Sequence, residues 1–159
     1  MKTTLIVLGR PIPEGSSQAS PYLDKDSGRM RASVRPNNAR DLYRYRADIQ
    51  NAWDQTMPSP DLIEGPVILH CTFVFARPDS HFYPVNKKRS KPELRKDAPH
   101  YRTVKPDLDK LLRAVGDALT GRAYKDDSQV VQTHGAKPFG DTCQTIIEVM
   151  AMDDLRDEI

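Results

Sequence analysis

The sequence predicts an α+β fold: two helices packed on one mixed or antiparallel sheet of about four strands, in the order β-α-β-α-β-β. Three observations predict it. Residues 39–57 and 107–120 carry apolar side chains at helical spacing. Residues 66–76 alternate at period two, as a strand does. Short apolar runs at 3–9, 128–136 and 142–151 supply the remaining strands. The 159 residues suit one domain spanning 1–152, followed by an acidic tail at 153–159. There is no internal repeat and no low-complexity tract.

Each element has a local reason. The first strand, Thr3–Gly9, is stopped by Arg10-Pro11-Ile12-Pro13. Residues 14–37 show no period and are rich in Gly, Ser, Pro and Asn, so they read as a loop. The first helix places Leu42, Tyr45, Ile49, Trp53 and Met57 on one face, with Asn37 or Asn38 as its cap and Pro58-Ser59-Pro60 as its stop. In the central strand Val67, Leu69, Cys71, Phe73 and Phe75 form the apolar face, and Ile68, His70, Thr72 and Val74 a semi-polar one. Residues 77–105 contain four prolines and little periodicity, so they read as a long loop. The second helix carries Leu108, Leu111, Leu112, Val115, Ala118 and Leu119 as its stripe, and Gly121 suits a left-handed cap. Two strands joined through Lys137–Asp141 close the domain.

Composition narrows the function. No apolar run approaches the ~18–20 residues that span a bilayer, and the start is too short for a secretory signal, so the expected location is the cytoplasm. Cys71 and Cys143 form no CxxC pair and read as reduced, buried residues. The net charge of +2 hides unlike parts. Residues 77–105 hold nine bases against three acids, and 29–46 hold six arginines against one aspartate. A basic surface of this kind suits a polyanionic partner. Trp53 reads as core and His70 as a hydrogen-bonded sheet residue. His81, His100 and His134 either touch DNA or metal or are plain exposed residues. Phe82 and Tyr83 either stack on bases or anchor the loop.

The acidic cluster carries the chemistry: Asp107-Leu108-Asp109, then Asp126-Asp127. Seventeen aspartates give about two Asp-x-Asp pairs by chance, so the context decides. In an ideal helix positions 107 and 109 point ~200° apart. They converge only if Asp107 keeps extended or cap geometry, which the Pro106 before it favours. If the strand after Asp126-Asp127 pairs beside the helix start, Asp127 faces the first two. Three gathered carboxylates need a cation, and an oxygen-only set suits Mg²⁺ or Mn²⁺. A helix cap at 107 and a turn at 126–127 are the plain alternatives. Beside a basic loop, such a cation suits phosphodiester hydrolysis by an activated water. Asp109, Arg113 and Asp117 fall at i, i+4 and i+8 on one helix face. The candidate phosphate contacts are Arg77, His81, Lys87, Lys88, Arg89, Lys91, Arg102, Lys105 and Lys110.

Three blocks in register carry a resemblance: Lys105-Pro106-Asp107-Leu108-Asp109-Lys110-Leu111-Leu112-Arg113-Ala114-Val115, then Asp117-Ala118-Leu119-Thr120-Gly121, then Tyr124-Lys125-Asp126-Asp127-Ser128-Gln129-Val130-Val131. Together they resemble the RusA family of Holliday-junction resolvases, most closely its phage and prophage branch. Weaker agreement reaches back through 66–76 and Arg77–Tyr83. The resemblance implies a homodimeric, Mg²⁺-dependent endonuclease, with Mn²⁺ as a substitute, that cuts four-way DNA junctions by paired symmetric nicks. It implies Asp107, Asp109 and Asp127 as the essential metal-binding carboxylates, with Asp126 as the acid beside the third; Asp117, on the same helix face as Asp109, is a further candidate behind them. The family's catalytic lysine falls on Arg113, whose guanidinium stabilises charge but donates no proton. For a phage-encoded chain the location implied is the host cytoplasm. The rival readings are a broader branched-DNA or flap nuclease and a non-catalytic, structure-selective DNA-binding protein.

Overall fold

The computed structural model describes residues 2–59 and 61–152; the expected acidic tail lies outside the described residues. Strand β1 (Lys2–Leu8) buries Thr3, Leu5 and Val7 and exposes the residues between them, the alternation of a strand with one face on a core. Next come β2 (Ser17–Leu23), β3 (Met30–Pro36), α1 (Ala39–Thr56) and β4 (Val67–Ala76). The two-residue strands β5 (Phe82–Tyr83) and β6 (Glu93–Leu94) precede α2 (Leu108–Leu119). Strands β7 (Val130–Ala136), β8 (Phe139–Gly140) and β9 (Gln144–Ala151) complete the chain.

The main sheet has five strands in the order β1-β9-β4-β7, and β8 pairs with the far end of β4. Strand β9 is antiparallel to both β1 and β4, whereas β7 and β8 are parallel to β4. The sheet is therefore mixed. Both helices pack on the face that carries Leu5, Leu69, Phe73, Ile147 and Val149. Helix α1 buries Leu42, Tyr45, Ile49 and Trp53, the stripe that its spacing predicts. The Tyr45 hydroxyl meets Thr145 Oγ1 at 2.6 Å, so this one polar contact between helix and sheet is satisfied where no water reaches. Burial pushes the Tyr45 phenol up from its ordinary value.

Helix α2 buries Leu111, Ala114, Val115, Ala118 and Leu119. Just beyond its cap Thr120 the chain turns at Gly121, whose φ of 75° only glycine adopts at no steric cost. Against β7 the approach is close. A Cβ on Gly135 would sit 3.0 Å from Leu108 Cδ1 and 3.1 Å from Leu112 Cδ1. The first turns of α2 therefore lie over the last residues of β7.

Several expectations need correction. Residues 14–37 are not a loop throughout, because β2 and β3 pair antiparallel from Ser17↔Pro36 to Leu23↔Met30. Their polar, turn-forming composition hid a ribbon that lies outside the core. Residues 77–105 contain a one-turn helix, Asp79–His81, and the β5–β6 pair. The strand expected from 128 begins at Val130, after a one-turn helix at Asp127–Gln129. Phe139–Gly140, expected as a connection, pairs with Phe75–Ala76. Asn38 precedes α1, but its side chain caps nothing there: Nδ2 donates to Pro13 O at 2.9 Å.

Cys71 is buried and free, and desolvation pushes its thiol up to about 12, so it stays protonated. We expect a thiol reagent at pH 8 to leave Cys71 unmodified in the native protein and to label it once urea unfolds the chain. Mass mapping of the labelled cysteines reads this.

Candidate active site

The acidic residues sit on α2 and on the turn before β7. Asp107 occupies the position before α2 with φ −73° and ψ 140°, the extended geometry that the sequence requires of it. Its carbonyl accepts from Leu111 N at 3.2 Å, so it starts the helix. Its carboxylate makes no capping bond. The plain capping role is therefore not what holds Asp107 there. Lys110 Nζ stands 3.9 Å from Asp107 Oδ2. Asp109 lies exposed in the first turn, where unpaired backbone N–H groups and the helix dipole favour anions.

The backbone before α2 is clamped. Lys137 Nζ donates to Val104 O at 3.1 Å and to Pro106 O at 2.8 Å. Arg102 Nε donates to Lys105 O at 2.8 Å, and Arg102 N to Lys137 O at 2.8 Å. Lys137 thus fixes the entry to the helix, a role that its place in a turn sequence does not reveal.

Further along α2, Asp117 accepts from Arg46 Nη2 at 2.8 Å, and the same nitrogen also bonds Glu14. Arg113 Nε lies 4.0 Å from Asp117 Oδ2, with its side chain 72% exposed. Asp117, expected behind a metal site, is therefore held in an ionic chain of Glu14, Arg46, Asp117 and Arg113. Glu14 is locked to α2 by its own N–H, which donates to Lys110 O at 2.9 Å. Sequence reading missed Glu14 and gave Arg46 no such role, because the two lie 32 residues apart.

Asp126 and Asp127 lie elsewhere. Asp126 caps the turn Asp127–Gln129: its carboxylate accepts from Ser128 N, while the Gln129 side chain accepts from the Asp126 and Lys125 N–H groups. The bonds from Ser128 hold the Asp126 carboxyl below its usual range. Gln129 Nε2 donates to Ile63 O and Gly65 O, each at 2.9 Å. This turn precedes the first residue of β7, whereas the α2 start lies over the last. Seven strand residues span roughly 20 Å at ~3.3 Å each. The expectation that Asp127 faces Asp107 and Asp109 within one chain is therefore overturned, because α2 runs one way and β7 runs back. Among the described residues no three His, Cys, Asp or Glu side chains form a group able to hold an ion. Among the described residues one chain places Asp107 and Asp109 at the same helix start and Asp127 away from it, so it does not by itself fit the cation.

Apart from Lys110, which faces Asp107, the expected phosphate contacts divide in two. Arg77 donates to Pro99 O at 2.8 Å and lies over Phe139. His81 meets the Phe139 ring edge-on at 4.8 Å. Arg89 pairs with Glu93 at 2.9 Å and covers Tyr83, which makes Tyr83 an anchor for the loop. Arg102 covers Phe75. These four fasten the loop. Lys87, Lys88, Lys91 and Lys105 are exposed, with no acidic partner among the described residues. His134 lies on the open sheet face, 4.4 Å ring to ring from His70 and bonded to Gln132. His70 Nδ1 is 3.6 Å from Glu148 Oε2.

A family model described as endodeoxyribonuclease RusA matches residues 14–150. The chain belongs to the RusA endodeoxyribonuclease family. The matched span contains α2, both acidic clusters and the basic loop, so the RusA resemblance extends well beyond its three blocks. The chain is also 34% identical over 89 residues to the "Uncharacterized protein YqaN" of Bacillus subtilis strain 168, covering 56% of this chain and 58% of that protein. It thus spans less than two thirds of that relative. No described helix is long and apolar enough to cross a membrane.

Replacing Arg46 with Gln leaves Glu14 and Asp117 facing each other, half-buried and unneutralised. We expect a loss of about 1–3 kcal/mol, below the cost for a fully buried pair because all three side chains touch water. Urea unfolding checks this, and the loss should shrink when Glu14 is also made Gln.

Proposed function

We propose that this RusA-family chain is a divalent-cation-dependent endonuclease that resolves four-way DNA junctions by paired, symmetric nicks. One observation carries the reading: Asp107 starts α2 in extended geometry with its carboxylate free of any capping bond, next to exposed Asp109. A helix start with two exposed carboxylates, one of them 3.9 Å from Lys110 Nζ, suits a hard cation, Mg²⁺ with Mn²⁺ as a substitute. The unpartnered lysines at 87, 88, 91 and 105 suit the phosphate backbone.

The third carboxylate comes, on this reading, from a second copy. Asp127 stands at the opposite end of α2 from Asp107, so an isologous dimer that crosses the two copies end to end supplies each helix start with the other's Asp127. A dimer also suits a junction that is itself roughly two-fold symmetric. The open sheet face exposes Ile6, Leu8 and Val131, an apolar surface of the kind that covers itself by association. Within the site Arg113 stabilises negative charge at the phosphate, and its guanidinium leaves proton transfer to other groups. The rival reading, a DNA-binding protein without cleavage, draws on the lack of a complete metal group among the described residues of one chain.

Asp107→Asn and Asp127→Asn should each abolish Mg²⁺-dependent nicking of a four-way junction and leave metal-free binding intact. Mixed in equal amounts, the two inactive variants should recover about a quarter of the wild-type sites, because half the dimers carry one intact site. No recovery after subunit exchange means that the site is not shared. Full activity of either variant alone ends the assignment. Arg113→Lys should keep most of the nicking rate, whereas Arg113→Ala should lose at least tenfold in kcat, about 1.4 kcal/mol of transition-state stabilisation.

A further inference from the structure

The β2–β3 hairpin stands outside the core. All seven residues of β2 are exposed, and five of the seven in β3. A free two-stranded ribbon is marginal in water, and this one leaves most of its side chains open to a partner. Its register sorts the side chains. One face carries Gln18, Ser20 and Tyr22 opposite Arg35, Ser33 and Arg31. The other carries Ala19, Pro21 and Leu23 opposite Val34, Ala32 and Met30.

A shallow groove runs along this part of the ribbon, lined by Ser20, Tyr22, Ser33 and Arg35 with Pro21 at its edge. Asp24 closes the turn by accepting from Asp26 N and Ser27 N, and it pairs with Arg31 Nε at 2.8 Å, which fixes that guanidinium beside the groove. Among the described residues Arg29 and Arg35 have no acidic partner. The root of the ribbon is tied down by Asn37 N donating to Ser16 O at 3.0 Å. There Ser16 and Asn37 share one concavity with Lys105, Asp107 and Lys110. A strand of nucleic acid lying on the α2 start therefore reaches the ribbon next.

We infer that the polar face of this hairpin, with its turn, is a DNA-binding arm: it lies in the major groove of the duplex arm beside the cut strand, with Arg35 on the face and Arg29 at the turn on phosphates and Tyr22 against a base or sugar. Charge and shape agree. A two-stranded ribbon fits a groove ≈12 Å wide, and guanidiniums with hydroxyls are the usual phosphate donors. The inference rests on the nuclease reading above and adds to it a contact surface that runs outward from the α2 start.

Metal-free binding of a four-way junction across a salt series tests it. The Tyr22→Ala/Arg29→Ala/Arg35→Ala variant should bind at least tenfold more weakly, with a log–log salt slope about two units shallower, one per phosphate lost. Circular dichroism and the unfolding midpoint should stay unchanged, since none of the three packs in the core. A Leu23→Ser/Val34→Ser variant, altered on the apolar face, should bind within twofold of wild type. Equal binding by the polar-face variant overturns the inference. So does an equal loss from the apolar-face variant accompanied by dissociation to monomers, which assigns the ribbon to a second copy instead. A wild-type protein that binds no DNA removes the nuclease reading itself, an outcome distinct from a wild type that binds and a variant that binds equally well.

Discussion

Helix α2 lies against β7 because Gly135 has no side chain to hold Leu108 and Leu112 away. That contact sets the direction of everything near the acidic cluster. The helix runs from its carboxylate end toward Leu119, and the chain turns at Gly121 and returns along β7. Asp107 and Asp109 are thereby fixed at one end of the layer and Asp127 at the other. The packing is tight and apolar, so it does not slide to suit a ligand. The shared site proposed above is built on this fixed separation.

Charge follows the same division between what fastens and what meets a partner. Arg77, Arg89 and Arg102 spend their planar heads on aromatic rings, carbonyls and a carboxylate within the basic loop. Guanidinium suits that work, since it stacks and donates in a fixed plane. The lysines at 87, 88, 91 and 105, point charges on flexible stems, stand clear in solvent. The long loop is therefore held by its arginines and presents its lysines. Arg46 belongs to the fastening group. It neutralises two acids at once, and its Nε is buried without a partner, so the site tolerates it for the sake of Glu14 and Asp117.

Much of the fold is legible in local pattern. The stripes of α1 and α2 and the alternation of β4 are set by 3.6- and 2-residue periods, and each lands on the core as its period requires. The β2–β3 ribbon also alternates, with apolar residues at 19, 21 and 23 and polar ones at 18, 20 and 22. Its Pro21 and its Ser- and Gly-rich neighbours mask that pattern, because the same residues mark loops. The signal that would have found it is the match of this alternation with Met30, Ala32 and Val34 across a turn held by Asp24 and Gly28.

The sequence by itself determined the two helices, the buried face of the central strand, the extended start of α2 at Asp107 and the concentration of base in two stretches. Each of these depends on residues a few places apart, where backbone sterics and side-chain periodicity act. Only the tertiary structure decided that Asp127 lies a strand's length from Asp107, that Arg46 joins Glu14 to Asp117, and that Lys137 clamps the entry to α2. Those depend on the direction in which elements pack, and a local pattern reads the same whichever way its element runs.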